Sequence, residues 1–162
     1  MRMAEGVEWA IHCATVLALV PDEMALPAAR LAEFHGVPAP YLTKTLQALV
    51  RAGIVASISG RRGGFALAMS PFDITLLDIV SAVEGDEPAF RCSEIRRRGP
   101  AAVRAREYTP VCAIASAMWQ AEEAWRDSLR KTTIADLLVT LGGTVSPNAA
   151  AKGVAWMQEV MS

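Results

Sequence analysis

The sequence predicts a mainly α-helical protein with a small β-hairpin wing: a winged helix-turn-helix domain followed by a long dimerisation helix. Three observations predict it. The first is the spacing Ala32, Gly36, Leu42 between two helical stretches. A small residue lets the helices approach, a glycine makes the turn, and an apolar residue packs the second helix back. The second is a pair of strand-like runs around Ser59-Gly60-Arg61-Arg62-Gly63-Gly64, a loop rich in glycine with two arginines at its tip. The third is an apolar seam of Val111, Ile114, Met118, Ala121, Trp125 and Ser128/Leu129, with Trp119 beside it. About twenty such residues extend roughly 30 Å as a helix. The expected division is a winged helix-turn-helix domain over 1–85, a thiol-bracketed loop over 86–112, a dimerisation helix region over 113–141, and a linker with a C-terminal tail over 142–162.

Bulk properties narrow the function. At 162 residues the chain is one domain, or one with an extension, and 52% hydrophobic content is ample for a core. A net charge of −1 means that nucleic-acid binding must rest on local basic patches. The longest apolar run, 13–20, is too short to span a bilayer. Glu5, Glu8 and His12 stand where a signal peptide needs unbroken apolar sequence, so a cytoplasmic location is expected. Three cysteines point to metal, redox chemistry or burial rather than a disulfide framework. No nucleophile–base set appears, the 60–64 loop lacks the phosphate-loop lysine, and there are two histidines, so an enzyme is not expected.

Taken in order, a helix is predicted over 4–19, with Val7, Ala10, Ile11, Ala14, Leu17 and Ala18 on one face. Glu8 and His12, four apart, stack on one side with Trp9 beside them. They form either a surface pair worth about 0.2–0.5 kcal/mol or a two-toothed metal ligand. Cys13 lies towards the apolar side and reads as a small buried hydrophobe. Helices over 27–35 and 40–52 follow, the second with core positions Leu42, Leu46, Leu49 and Val50. Its outward face offers Tyr41, Thr43, Lys44, Gln47 and Arg51. Thr43 and Gln47 suit base edges in a major groove, Lys44 and Arg51 suit phosphates, and Tyr41 suits either. Strands are predicted over 54–58 and 65–69, which puts Arg61 and Arg62 over a minor groove. Thr75 with Asp78 resembles a capping box that starts a helix closed by Gly85.

Between Cys92 and Cys112, Gly99-Pro100 and Thr109-Pro110 break regular structure, and five arginines intervene. With so little apolar surface, the segment needs a metal, a disulfide or a partner surface to hold it. The long helix either folds back on its own domain or packs on a copy of itself; the second is expected, giving a homodimer that sets two recognition helices on half-sites one turn apart. The expected partner is therefore double-stranded DNA with a pseudo-palindromic operator. Ile134, Leu137, Leu138 and Leu141 complete the helical region. Gly142-Gly143 and Pro147-Asn148 mark a linker, and 149–161 is either a weak amphipathic helix or a frayed tail without assigned function.

The chain resembles the IscR/NsrR/RsrR (Rrf-type) family of winged helix-turn-helix iron–sulfur transcription regulators. The resemblance lies in Tyr41-Leu42, LVRAGIV over 49–55, SGRRGGFAL over 59–67, ITLLDIV over 74–80 with Glu84-Gly85, 112–119 and 133–137, and covers about residues 1–140. It implies a redox-sensing regulator, a repressor, whose operator binding follows the state of an iron–sulfur cluster. Many members carry three cysteines between the capped helix and the long helix. Here Cys92 resembles the first, Cys112 the last, and the middle one is missing. The pattern is most similar to the RsrR-like branch, which implies a [2Fe-2S] cluster with mixed ligands: Cys92 and Cys112 from one subunit, Glu8 and His12 from the other. Two thiolates, one imidazole and one carboxylate meet the count for two irons, and imidazole in place of thiolate raises the reduction potential. His35 ranks second as the imidazole. Trp9, between the two implied ligands, is the residue expected to couple the redox change to DNA binding. Two rivals keep the fold without metal: a reversible Cys92–Cys112 disulfide, or control by a separate effector.

Overall fold

The computed structural model describes residues 3–21, 24–100, 102, 104–107 and 111–161. Helices α1 (Glu5–Leu17), α2 (Ala28–His35) and α3 (Ala39–Arg51) precede the strands β1 (Val55–Ile58) and β2 (Gly64–Leu67). Helices α4 (Leu76–Glu84), α5 (Ala113–Arg130), α6 (Ile134–Thr144) and α7 (Pro147–Met161) follow, with single 3-10 turns at Ile95–Arg97 and Ala105–Glu107 in the connection before α5. The architecture is the mainly helical, hairpin-winged fold that the sequence predicts.

The core sits where α1, α3 and α4 meet. Ala10, Ala14 and Leu17 of α1 pack with Leu42, Leu46 and Leu49 of α3, Ile79 of α4 and Ile134 of α6 in one buried cluster. These are the three- and four-residue stripes that the sequence spaces along each helix. Cys13 is fully buried among them. Burial pushes its thiol up to about 12 from 9.0, so it remains protonated and inert.

The α2–α3 turn is made at Gly36, whose φ of 66° is left-handed. Its neighbour Val37 donates its N–H to the Ala32 carbonyl, closing α2. The wing is an antiparallel hairpin in the register Val55↔Leu67, Ser57↔Phe65. Leu26 adds an isolated bridge to Phe65, with N–H···O bonds in both directions at 2.9 and 2.8 Å. The segment before α2 thereby anchors the wing to the helix-turn-helix.

Two capping boxes hold α4 and α6 side by side. Thr75 and Asp78 cap α4 as predicted, and Thr133 and Asp136 repeat the arrangement at α6. Thr75 and Thr133 face each other in an antiparallel bridge. Leu76 donates to the Thr132 carbonyl and Ile134 to the Ile74 carbonyl, both at 2.9 Å.

At the C-terminus Gly142 and Gly143 lie inside α6 rather than in a linker, and of the two readings of 149–161 the helix is the one formed, as α7. The Thr140 and Thr144 hydroxyls donate back to the carbonyls of Asp136 and Thr140 on either side of the glycines. Ser146 caps the start of α7 by accepting from the Ala149 N–H. Trp156, Met157 and Val160 then pack on the core cluster, and Arg30 of α2 pairs with Glu159. Packing of an apolar stripe, not propensity, decides this helix. Among the described residues no helix is long and apolar enough to cross a membrane.

Candidate functional site

Three surfaces carry chemistry. On α3, Tyr41, Lys44, Gln47 and Arg51 are exposed, and their three- and four-residue steps put them on one face. Thr43 differs from its expected setting. It is half-buried and its hydroxyl donates to the Ala39 carbonyl at 2.8 Å, so towards a base edge it retains only acceptor capacity. Arg61 and Arg62 are exposed at the hairpin tip. Gly64 seats the wing: a Cβ there would meet the Leu26 carbonyl oxygen at 2.4 Å.

The second surface is the thiol loop. Cys92 and Cys112 are both free and half-buried. Cys92 Sγ lies 3.6 Å from Glu94 Oε1. Glu94 in turn receives Arg96 through Nε at 3.0 Å and Nη2 at 3.4 Å, and Arg97 through Nε at 3.3 Å. Glu94 takes φ 50°, ψ 45°, the one non-glycine with positive φ among the described residues. Cys112 occupies the N-cap position of α5. The N–H groups of Ala115 and Ile114 draw its thiol below the ordinary range, and the Arg96 charge adds to this. The field of Arg96 reaches both sulfurs.

On α1, Glu8 and His12 are exposed and border a shallow groove of about 380 Å³ with Met3, Ala4 and Ile11. Trp9 is half-buried and packs on the core. His12 lies 5.5 Å from His35, ring centre to ring centre. Burial lowers the His35 pKa, and His12 lowers it further. His35 continues into an aromatic row, 5.0 Å from Phe34, which is 4.6 Å from Trp156 of α7. Among the described residues no group of three or more His, Cys, Asp or Glu side chains is placed to hold a metal ion. One chain therefore presents a thiol pair and a carboxylate–imidazole pair that do not form a single cluster.

Sequence reasoning missed three features. The Glu94–Arg96 pair has a two-residue spacing that carries no helical signal. The His12–His35 contact joins two helices, and only the fold brings it together. Trp156, Met157 and Val160 did show helical spacing, but the preceding glycines masked it.

The helix-turn-helix, the arginine-tipped wing and the capped α4 define a winged helix-turn-helix regulator. The family model described as "Rrf2: Iron-dependent Transcriptional regulator" matches residues 3–140. The chain is 29% identical over 142 residues to YwgB of Bacillus subtilis, named as an HTH-type transcriptional regulator, covering 88% of this chain and 87% of that one. Its fold is similar to that of CymR, the global cysteine regulator of B. subtilis (TM-score 0.67, 22% identity, 86% of this chain and 98% of that one). It is also similar to that of T. potens IscR (TM-score 0.66, 22% identity, 90% and 93%). At such identities the structures show the fold alone. The chain belongs to the Rrf2 family and is a transcriptional regulator, not an enzyme.

Proposed function

We propose that the protein is a homodimeric, redox-responsive repressor acting in the cytoplasm, which reads a pseudo-palindromic DNA operator and responds through a [2Fe-2S] cluster. The observation that carries this reading is the pairing of Cys92 and Cys112. They stand twenty positions apart, yet the Arg96 charge acts on both, and the N–H groups of Ala115 and Ile114 draw the Cys112 thiol below its ordinary range. The donor set fits the group in number and type: the two thiolates of one subunit with Glu8 and His12 of the other. Each chain supplies both halves on exposed or half-buried surfaces, but not in one place. When bound, such a cluster supplies a one-electron change of charge. Around it, Cys92 and Cys112 bind, Glu8 and His12 complete the set across the dimer, and Trp9 links α1 to the core of the DNA-reading unit. Tyr41, Thr43, Lys44, Gln47 and Arg51 would enter the major groove, with Arg61 and Arg62 in the minor groove.

Exposed apolar residues on α5 support the dimer. Ile114 is 69% exposed, and Met118 and Trp119 are each 44% exposed. Isolated on a monomer, such a stripe would be an unusual apolar patch.

The test is anaerobic purification, a visible spectrum, and assays of iron and acid-labile sulfide. The expected result is a coloured dimer with two irons and two sulfides per cluster. A colourless, iron-free protein from a cell competent in cluster assembly refutes the reading. The Trp9 role is checked by Trp9→Ala, which should flatten the difference in operator affinity between oxidised and reduced protein. An unchanged difference removes Trp9 from the mechanism.

A disulfide switch is the second reading, favoured by the same lowered Cys112 thiol. Forming that bond would pass two electrons and two protons to an oxidant such as a peroxide. Mass mapping of alkylated peptides before and after oxidation distinguishes it.

A further inference from the structure

We propose that α7, which lies beyond the residues matched by the family model, is a brace on the DNA-reading unit, and that Trp156 is a positioning residue for operator recognition, acting through Phe34 of α2. This rests on the DNA-reading role given to the helix-turn-helix above and is independent of what the thiols hold.

By itself α2 is weakly fixed. It is eight residues long, Pro27 gives it no side-chain cap, and its buried residues are Leu31 and Ala32. Its direction matters, because the turn at Gly36 passes that direction on to α3. In such a pair the first helix crosses the DNA backbone while the second enters the groove. The contacts from α7 fall on the outer side of α2. Trp156 lies 4.6 Å from Phe34, ring centre to ring centre, with the planes 51° apart. Glu159 faces Arg30 at 3.6 Å. Arg30 also pairs with Glu33 of its own helix at 2.8 Å, so this exposed ion pair adds direction more than strength. Phe34 remains 39% exposed with α7 in place, and without α7 its ring would lose the Trp156 contact. His35, next along, meets the His12 ring of α1, so the last turn of α2 is held between α1 and α7. Trp156 Nε1 and His35 Nε2 are buried without a hydrogen-bond partner among the described residues. The seat therefore depends on ring contact and on the packing of Met157 and Val160. No residue of α7 is fully buried. A contact of this kind orients a helix without being needed to fold the domain. Freed from it, α2 would sample more directions, and the one competent to read DNA would be populated for part of the time.

The experiment compares wild type with Trp156→Ala, Trp156→Phe, Phe34→Ala and the double variant Trp156→Ala/Phe34→Ala, all in the full chain. The probe is a DNA duplex selected by the wild-type protein from a random-sequence library, with an unselected duplex as the non-specific reference. Amide hydrogen exchange is followed in α2 and, as the measure of global opening, at Leu46 and Leu49 in the core of α3. Trp156→Ala is expected to weaken binding to the selected duplex about three- to tenfold, as when the reading geometry is populated for about a third to a tenth of the time. Binding to the unselected duplex should stay the same, and exchange should quicken in α2 but not in α3. Trp156→Phe keeps an aromatic ring and loses an N–H that has no partner, so it should restore most of the affinity. The double variant should bind about as weakly as either single one, because both remove one contact. Equal affinity in wild type and Trp156→Ala overturns the proposal. So does a gain in affinity, an equal loss on the unselected duplex, or additive losses in the double variant. Trp156→Phe binding as weakly as Trp156→Ala overturns the ring contact as the active property. Quickened exchange at Leu46 and Leu49 in Trp156→Ala overturns it too, because Trp156 would then hold the whole fold. If the wild-type protein selects no sequence, the DNA-reading role fails by itself, and exchange in α2 still decides whether α7 braces that helix.

Discussion

A β-carbon on Gly64 would press on the Leu26 carbonyl carbon and oxygen, both at 2.4 Å, and on the Pro27 nitrogen at 2.7 Å. These are backbone atoms that cannot rotate aside, and Leu26 is the bridge that docks the wing. Gly64→Ala is therefore expected to cost about 1–3 kcal/mol and to weaken operator binding together with stability. Urea unfolding and DNA titration check it, and a neutral result would mean that the wing docks differently. Cys13 makes a second prediction at this scale. In the folded protein its thiol ionises near 12, against 9.0 when exposed. Its contribution is complete below pH 9 and is lost as the pH rises from 9 towards 12, because the unfolded chain then gives up a proton that the folded chain retains. Cys13→Ala removes this dependence, so the variant, though less stable at pH 7, should lose less stability than wild type between pH 8 and pH 11. Thermal melts across that range measure it.

Among the elements, the twin caps of α4 and α6 are the most economical to test. Thr133→Ala removes the hydroxyl that accepts from Asp136 N–H at 3.1 Å, and should cost about 1 kcal/mol. The Thr133 N–H and hydroxyl hold the Asp136 carboxyl below its usual range. That support is present above about pH 4 and is lost as acid protonates the carboxylate. The difference between wild type and Thr133→Ala should thus shrink at low pH, which urea melts at pH 7 and pH 3 can show. The caps also illustrate what was legible in the residues. Thr75 and Asp78 announce themselves by a three-residue spacing, and Gly36 by the turn it must make. Cys92, Cys112 and His12 stood out as donor types in a chain of three cysteines and two histidines, whereas Glu8, one of 17 acidic residues, stood out through its spacing from His12 and the family resemblance. The Glu94–Arg96 clamp was not legible, since it depends on a left-handed residue in irregular chain. Nor was the choice between helix and tail at 149–161, which the packing of Trp156 on the core settles, nor the run of α6 through Gly142 and Gly143. The hydrogen bond of the Thr43 hydroxyl to a carbonyl of its own helix was not legible either.

For the whole molecule, the division of α5 between two tasks matters most. Met118, Ala121 and Trp125, read from the sequence as seam, line a groove of about 650 Å³ with Val80 of α4 and Phe90. Ala115 is buried, while Ile114 and Trp119 face outward. The helix thus packs on its own domain through Ala115 and leaves open the seam of Ile114 and Met118, which runs on into the groove. DNA binding belongs to this scale as well. Arg61→Ala with Arg62→Ala should weaken operator binding and lower the slope of log affinity against log salt by nearly 2, about 0.9 for each phosphate no longer neutralised. A slope equal to that of wild type would take the wing off the DNA.

Joining Cys92 to Cys112, through metal or through sulfur, closes a loop of about twenty residues and removes about 3 kcal/mol of chain freedom from the unfolded state. Arg97, Arg98, Arg104 and Arg106 are exposed within that stretch, and each is a cleavage point for a trypsin-like protease. A chain with its thiols unjoined should be cut first within the loop, so that limited trypsin digestion would separate joined from unjoined protein by half-life.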